Sequence, residues 1–459
     1  MQFNNLFTHR KIGIIFNSCK RFPITIILSI LSTLLNISLV TQEIDNEIFT
    51  RLAPILFIGI IFSLAIHLSL EHSFKKYSLV ITAFTSILFI LINYYIFNIN
   101  ENFSYYLKNA QLFAGISLFL TFAPFLNSKD NNSFNNYNQI IIKRLCISIF
   151  YSAVIFLGTF LAVKLISYLF EFRSHFTSDA HKYLFFISFN LIQVFLFLSG
   201  IPKKVDLHHK VMNITFSLKT ITYNILVPLT LLYIFIMYIY TGKIIFTWTL
   251  PKGYVGWTLS CLNLLGLICI LILHAKKRDE KPKWVHFFEK YYFILNIPLL
   301  GVLFVGVLTR INTYGMTESR YLLLIGCLWV TFISIYFILT QSKQLKIIPT
   351  SLSVLLLFTI FGPWSAYNVS LNSQLRIFKE IAGQSGFLVE RQLHKPEMNL
   401  TSDERNKIRS VLAYIIDYHG MESLRGTIND EQLELALKDK KNRAYYFIKK
   451  YGLSEEKSK

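Results

Sequence analysis

Eleven long apolar runs, with basic residues gathered into every second connection between them, constrain this chain more than any other feature. The runs lie at 22–39, 52–70, 77–97, 110–126, 145–170, 183–199, 221–240, 254–274, 291–308, 321–340 and 347–367. A membrane helix needs about 20 mostly apolar residues to cross about 30 Å of hydrocarbon, and each run meets or approaches that length. The N-terminus and even-numbered connections hold 21 Lys and Arg, against 8 in the odd-numbered ones. Basic residues in short connections mark the cytoplasmic side. The N-terminus is therefore expected inside, and eleven crossings put the C-terminal segment outside. Tyr77, Tyr183, Tyr240, Tyr254, Trp257, Tyr291, Tyr321 and Trp364 stand near run ends, as in the aromatic belts of membrane interfaces.

Composition agrees with an all-α polytopic membrane bundle. Of 459 residues, 53% are hydrophobic and 16% charged, whereas soluble domains carry about 25% charged residues. A net charge of +20 in a soluble chain would suggest nucleic acid as a partner. Here most of the surplus lies beside spans, so orientation accounts for it and membrane lipids are the expected surroundings. The five cysteines (Cys19, Cys146, Cys261, Cys269, Cys327) lie in or beside apolar runs without a CxxC pair. That argues for buried free thiols, against a zinc site and against a disulfide framework. The run after Arg21 lacks a small-x-small cleavage site, so it reads as an uncleaved first span. No metal site or cofactor is expected.

The chain is expected to divide into a membrane bundle, 1–369, and a mostly helical segment, 370–459. In the latter, Leu375, Phe378 and Ile381 share a helical face. Thr401 and Glu404 have capping-box spacing ahead of Ile408, Val411, Leu412, Ile415 and Ile416, and Gly420 is a natural stop. Further helices are expected at 431–437 and 442–451. The asparagine-rich stretch 127–138 reads as a flexible cytoplasmic loop. Ionisable groups are almost absent from the runs: Lys164 is expected to snorkel to an interface, and His67 to be a satisfied polar group. No Asp or Glu falls mid-run, so proton- or sodium-coupled transport lacks its usual carboxylate.

Three outer segments combine backbone punctuators with aromatic and cationic side chains: 240–257, 309–321 and 361–374. They contribute Lys243, Trp248, Lys252, Trp257, Arg310, Tyr314, Glu318, Arg320, Trp364 and Gln374 as candidate binding residues. Arg offers a bidentate fork to a phosphate or diphosphate, and Trp or Tyr a flat face with one polar tip. The alternative is that the aromatics anchor the interface and the cations rest among headgroups. Glu318, between Arg310 and Arg320, is expected to be ion-paired. The first outer connection carries Glu43 and Asp45 in E-x-D spacing, the candidate acid/base or cation-holding carboxylates if the chain is an enzyme.

The order of these motifs, Y-G-M-T-E-S-R-Y at 314–321 and G-P-W-S-A-x-x-V-S-x-x-S-Q at 362–374, resembles the bacterial membrane family DUF4153, a domain of unknown function. The likeness covers about 145 to the tail. It implies a multi-pass inner-membrane protein with an added C-terminal region, and brings no activity or catalytic residue. Acidic residues in the first outer loop, about eleven spans and an outer C-terminal domain also resemble, in outline, membrane glycosyltransferases that use polyprenyl-linked sugars. The favoured expectation is a non-catalytic binding or assembly component, meeting an envelope protein or lipid-linked intermediate outside. A lipid-dependent group transferase is the alternative, and an uncoupled transporter the third reading.

Overall fold

The computed structural model describes residues 18–41, 47–71, 74, 76–96, 103–128, 130–169, 175–202, 221–247, 254–273, 282–340, 343–394 and 401–437. Among them the chain is almost entirely helical: α1 Pro23–Thr41, α2 Glu47–Leu70, α3 Ser78–Ile96, α4 Phe103–Phe122 and α5 Asn131–Leu169 come first. Next α6, His175–Phe186, passes through a π-helical turn, Ile187–Ile192, into α7, Gln193–Leu198. A second π-helical turn, Thr222–Leu226, opens α8, Val227–Thr247. Then follow α9 Tyr254–Leu273, α10 Lys283–Tyr314, α11 Glu318–Leu339, α12 Ile347–Phe358 and α13 Ala366–Gln384. The described chain ends with a hairpin, β1 Leu388–Val389 and β2 Gln392–Leu393, then α14 Ser402–His419 and α15 Asp430–Leu437.

Nine helical stretches among the described residues are long and apolar enough to cross a membrane. They turn outward large apolar side chains such as Phe84, Leu161, Phe235 and Ile245, far more exposed apolar surface than water tolerates. The chain is a multi-pass membrane protein. Two of the eleven expected spans fall outside that set. Helix α4 carries Lys108, Asn109 and Gln111, while α12, at 12 residues, reaches only about 18 Å at 1.5 Å per residue.

These two helices pack on each other, and Gln111 and Ser353 are hydrogen-bonded between them. Ser353 donates to the Gly115 carbonyl at 2.7 Å. The Gln111 amide donates to the Leu356 carbonyl at 2.9 Å and to Thr359 Oγ1 at 2.6 Å, and Tyr367 donates to Gln111 Oε1 at 3.1 Å. Buried away from water, such groups cost free energy unless bonded. The run expected to continue to 367 stops at Phe358 because Gly362, at φ +84°, and Pro363 turn the chain, and Ser365 then caps α13 through the Asn368 N–H.

The described residues of 127–138 are held in place rather than forming a flexible loop, most of them as the first turns of α5. Asp130 Oδ1 accepts from the Asn132 and Ser133 N–H groups at 2.9 and 3.3 Å, capping α5. Asn131 bridges to the Lys343 carbonyl and the Leu345 N–H, and the Lys346 ammonium gathers the carbonyls of Phe125, Leu126 and Ser128. Asparagine serves here as a cross-linker between distant segments, a use that composition does not reveal. At the same end of the bundle Arg21 forks onto Glu71, both bonds at 2.8 Å, and donates to the Ile201 carbonyl.

Other expectations resolve residue by residue. Cys269 and Cys327 are buried and Cys19 half-buried, but Cys146 and Cys261 are exposed, because their positions lie on outward flanks of α5 and α9. His67 is buried with its ring edge-on to Phe22, and Lys164 is exposed with its ammonium over the Phe160 ring. The tail's Thr401–Glu404 capping box and the Gly420 stop are both present. Ile408, Leu412, Ile415 and Ile416 form a core with Phe378, Phe387 and Leu433. The hairpin, unforeseen in sequence, turns through Glu390 and Arg391, both at positive φ. The helix expected at 442–451 lies outside the described residues.

In the bundle core, α9 and α10 approach closely at Gly266. A Cβ there would lie 2.2 Å from the Tyr292 phenol, which is fully buried and donates to the Asn263 carbonyl at 3.3 Å. Overpacking of this kind costs about 1–3 kcal/mol. Gly266→Ala is therefore expected to lower the melting temperature in detergent, while Gly306→Ala, where nothing lies within 4 Å of the new methyl, leaves it unchanged or raised. Equal melting of the two variants would contradict the packing.

Candidate functional site

The segments 309–321 and 361–374 meet at one end of the bundle and are bonded to each other. Helix α10 ends at Gly315, whose φ of +73° turns the chain in a conformation that side chains resist. The Gln374 amide donates to the Tyr314 and Met316 carbonyls at 3.3 and 2.9 Å. Ser373 accepts from the Met316 N–H at 2.9 Å. Arg320 folds back from α11, with Nη1 donating to the carbonyls of Tyr314 at 3.2 Å and Gly315 at 2.6 Å. Tyr321 donates to the Trp364 carbonyl at 2.6 Å. Trp364 stacks on Phe358 with ring centroids 4.9 Å apart and donates to its carbonyl at 3.1 Å. Polar residues of both motifs thus hold one connection, 315–317, in a fixed shape.

Directly after that connection stands Glu318, with only 1% of its surface exposed. Its carboxylate is closed off by the tail. Tyr414 Oη donates to Glu318 Oε2, and His419 Nε2 approaches Oε1 at 3.0 Å. The imidazole contact has ion-pair distance without hydrogen-bond alignment, so Tyr414 supplies the directional bond. The same phenol lies 3.0 Å from the Ser370 hydroxyl of α13 and within 3.4 Å of the Glu318 N–H. Burial, and secondly the Glu318 charge, push the Tyr414 phenol well above its usual pKa. It therefore remains a donor at any physiological pH. Tyr414 also stacks on Tyr418 at 4.4 Å, and Tyr418 meets Phe103 of α4 edge-on at 4.9 Å. Lys108 brings a positive charge within electrostatic reach of Glu318, its ammonium 4.8 Å from the Tyr367 ring centre.

A fully buried carboxylate is tolerated only when its charge and lone pairs are matched. Groups of α14 meet the Glu318 carboxylate: Tyr414 donates to it and the His419 imidazole lies 3.0 Å from it. Sequence reasoning missed Tyr414, His419, Ser370 and Lys108. Tyr414 and Tyr418 are four apart and His419 follows, an aromatic stripe beside the apolar face of α14. That stripe was the legible sign of a second packed surface.

The remaining candidates divide. Arg310 lies on α10 one turn before its end and Tyr314 is exposed. Lys243 on α8 and Trp257 on α9 are exposed, and among the described residues no hydrogen bond joins either side chain to the other two segments. Glu43, Asp45, Trp248 and Lys252 lie outside the described residues. No group of three or more His, Cys, Asp or Glu positioned to hold a metal occurs among the described residues.

Removing one hydrogen bond to a charged group costs about 1.5–3 kcal/mol, and the His419 imidazole covers the other carboxylate oxygen. His419→Ala and Tyr414→Phe are each expected to loosen α14, with trypsin cutting at Arg405 or Arg409 at a lower temperature than in the wild type. Unchanged protection in both would show that Glu318 does not hold the tail.

The family model for a domain of unknown function, DUF4153, matches residues 26–379. The match begins far before 145, where the motif resemblance was placed, and ends within α13. It contains Glu318 and Ser370, while Tyr414 and His419 lie beyond it. An uncharacterized protein of Pasteurella multocida (strain Pm70), PM1469, is 28% identical over 279 residues, covering 60% of this chain and 46% of that protein. The match spans less than half the length of that relative. No solved structure matches the chain. With most of its length matched by the family model, from the first span through the G-P-W-S-A motif, the chain belongs to the DUF4153 family.

Proposed function

We propose that this protein is a non-catalytic binding or assembly component of the bacterial inner membrane. Its N-terminus is cytoplasmic, α4 and α12 complete eleven passes, and the segment from 370 onward stands in the periplasm. There the docked helices α13–α15, with the aromatic and cationic rim beside them, present a fixed surface to an envelope protein or a lipid-linked envelope intermediate. The observation that carries this reading is the enclosure of Glu318. The carboxylate among the candidate binding residues is covered by Tyr414 and His419, so it serves attachment and is closed to a substrate. The rim itself consists of Tyr314 and Trp364, both exposed, with the Arg320 guanidinium 5.5 Å from the Tyr314 ring centre. The charge bias between alternate connections supports the orientation.

A lipid-dependent group transferase is the second reading, with Glu43 or Asp45 as its acid/base. Uncoupled transport is the third. Complementation in a strain lacking the gene separates them, scored as resistance to an envelope-directed detergent such as deoxycholate. A chain carrying Glu43→Gln and Asp45→Asn is expected to restore resistance fully. A chain ending after residue 394 is expected to fail while accumulating normally in the membrane. Loss of resistance in the double variant, at normal protein level, would favour the enzyme; full resistance from the shortened chain would overturn the assembly reading.

A further inference from the structure

The apolar runs 22–39, 145–170 and 183–199 are bordered by Arg21, Arg144 and Gly200, each one residue beyond its run. The fold brings these three together. Arg21 Nη1 donates to the Ile201 carbonyl at 2.8 Å and Nη2 to the Pro202 carbonyl at 3.2 Å, while the same guanidinium forks onto Glu71. The Arg144 side chain lies directly against Gly200: a Cβ built on that glycine would stand 2.3 Å from Arg144 Cδ and 2.5 Å from its Nε. Two arginine side chains thus flank the single segment 200–202, at a level where three apolar runs stop. Such a level is where hydrocarbon gives way to lipid headgroups.

The two arginines differ in what they meet. Arg21 has its charge matched by Glu71 and its other donors taken by carbonyls. Arg144 is exposed, and among the described residues neither an acid nor a carbonyl meets its guanidinium. Its place on α5 is the edge between packed and lipid-facing surface. Ile141 and Ser148, three before and four after it, are buried, whereas Leu145 and Ile149 are exposed. Gly200 supplies the room, since any larger residue would push the arginine's stem away from the end of α7. The stem is therefore packed in place while the donors of its planar fork stay unbonded.

We propose that Arg144, held against Gly200, binds the phosphate of an anionic phospholipid of the surrounding membrane, with an acyl chain of that lipid along Leu145 and Ile149. The fork of an arginine fits two phosphate oxygens at once. The sign of the head follows from the local balance, since Glu71 neutralises Arg21 and no described acid neutralises Arg144. A zwitterionic head would bring its own cation to a place that already holds one. The site lies on the flank of the bundle and is independent of what the Glu318 end binds.

Native mass spectrometry of the full chain in detergent tests it, with phosphatidylglycerol and phosphatidylcholine offered separately. The wild type is expected to hold phosphatidylglycerol at least about tenfold more tightly than phosphatidylcholine, the worth of one hydrogen bond to a charged group. Two variants keep the net charge. Arg144→Lys loses the fork, and Gly200→Ala takes away the room for the arginine's stem. Each is expected to weaken retention of phosphatidylglycerol about tenfold, whereas charge attraction alone would leave both as the wild type. Arg144→Lys changes an exposed side chain and is expected to melt as the wild type does, so it carries the test even if Gly200→Ala lowers the melting temperature. Wild-type affinity in Arg144→Lys, or equal retention of the two lipids by the wild type, would overturn the proposal.

Discussion

The burial of one carboxylate organises the distinctive end of this molecule. Glu318 begins α11, yet its carboxylate is covered from α14, nearly a hundred residues later in the chain. Desolvating a carboxylate costs several kcal/mol, so the arrangement persists only while Tyr414 and His419 stay in place. Everything around it serves that placement. Gln374, Ser373 and Arg320 fix the backbone before Glu318, Ser370 positions the Tyr414 phenol, and Phe103 meets Tyr418 from α4. The tail is thereby attached at one charged point backed by aromatic contacts, on top of an apolar core of its own.

The same logic of satisfied polar groups explains how α4 can be less apolar than the helices it packs on. Helix α4 alone would expose Gln111 to hydrocarbon, and α12 alone is too short to cross it. Paired, they satisfy Gln111, Ser353, Thr359 and Tyr367 internally. A bilayer offers no water to do so. The pairing also carries the attachment site, because Lys108 and Phe103 of α4 stand above it and Tyr367 follows directly from the turn after α12.

Much of the bundle was legible because lipid imposes a simple requirement of length and apolarity. Nine of the eleven runs correspond to long apolar helices, and the tail's capping box, glycine stop and apolar stripe all stand where spacing put them. Legibility failed where a residue's partner is distant in sequence. Asn131 and Asn138 read as loop material because their acceptors belong to other segments. Glu318 read as the neighbour of two arginines because spacing along one helix is visible and contact with α14 is not. Arg320, Gln374 and Trp364 carried binding expectations, and each is seen to hold backbone carbonyls as well. A motif dense in Gly, Trp and Arg marks a place where backbone is held tightly, and that signature alone does not separate a ligand site from a joint.

Hydrogen exchange of the protein in lipid nanodiscs tests most directly whether Glu318 fastens the tail. Amides of α14, and those of α13 facing it, are expected to exchange markedly faster in Glu318→Ala than in the wild type, while those of α1 stay unchanged. Identical exchange of α14 in the two proteins would contradict the attachment and leave the tail held by its apolar core alone.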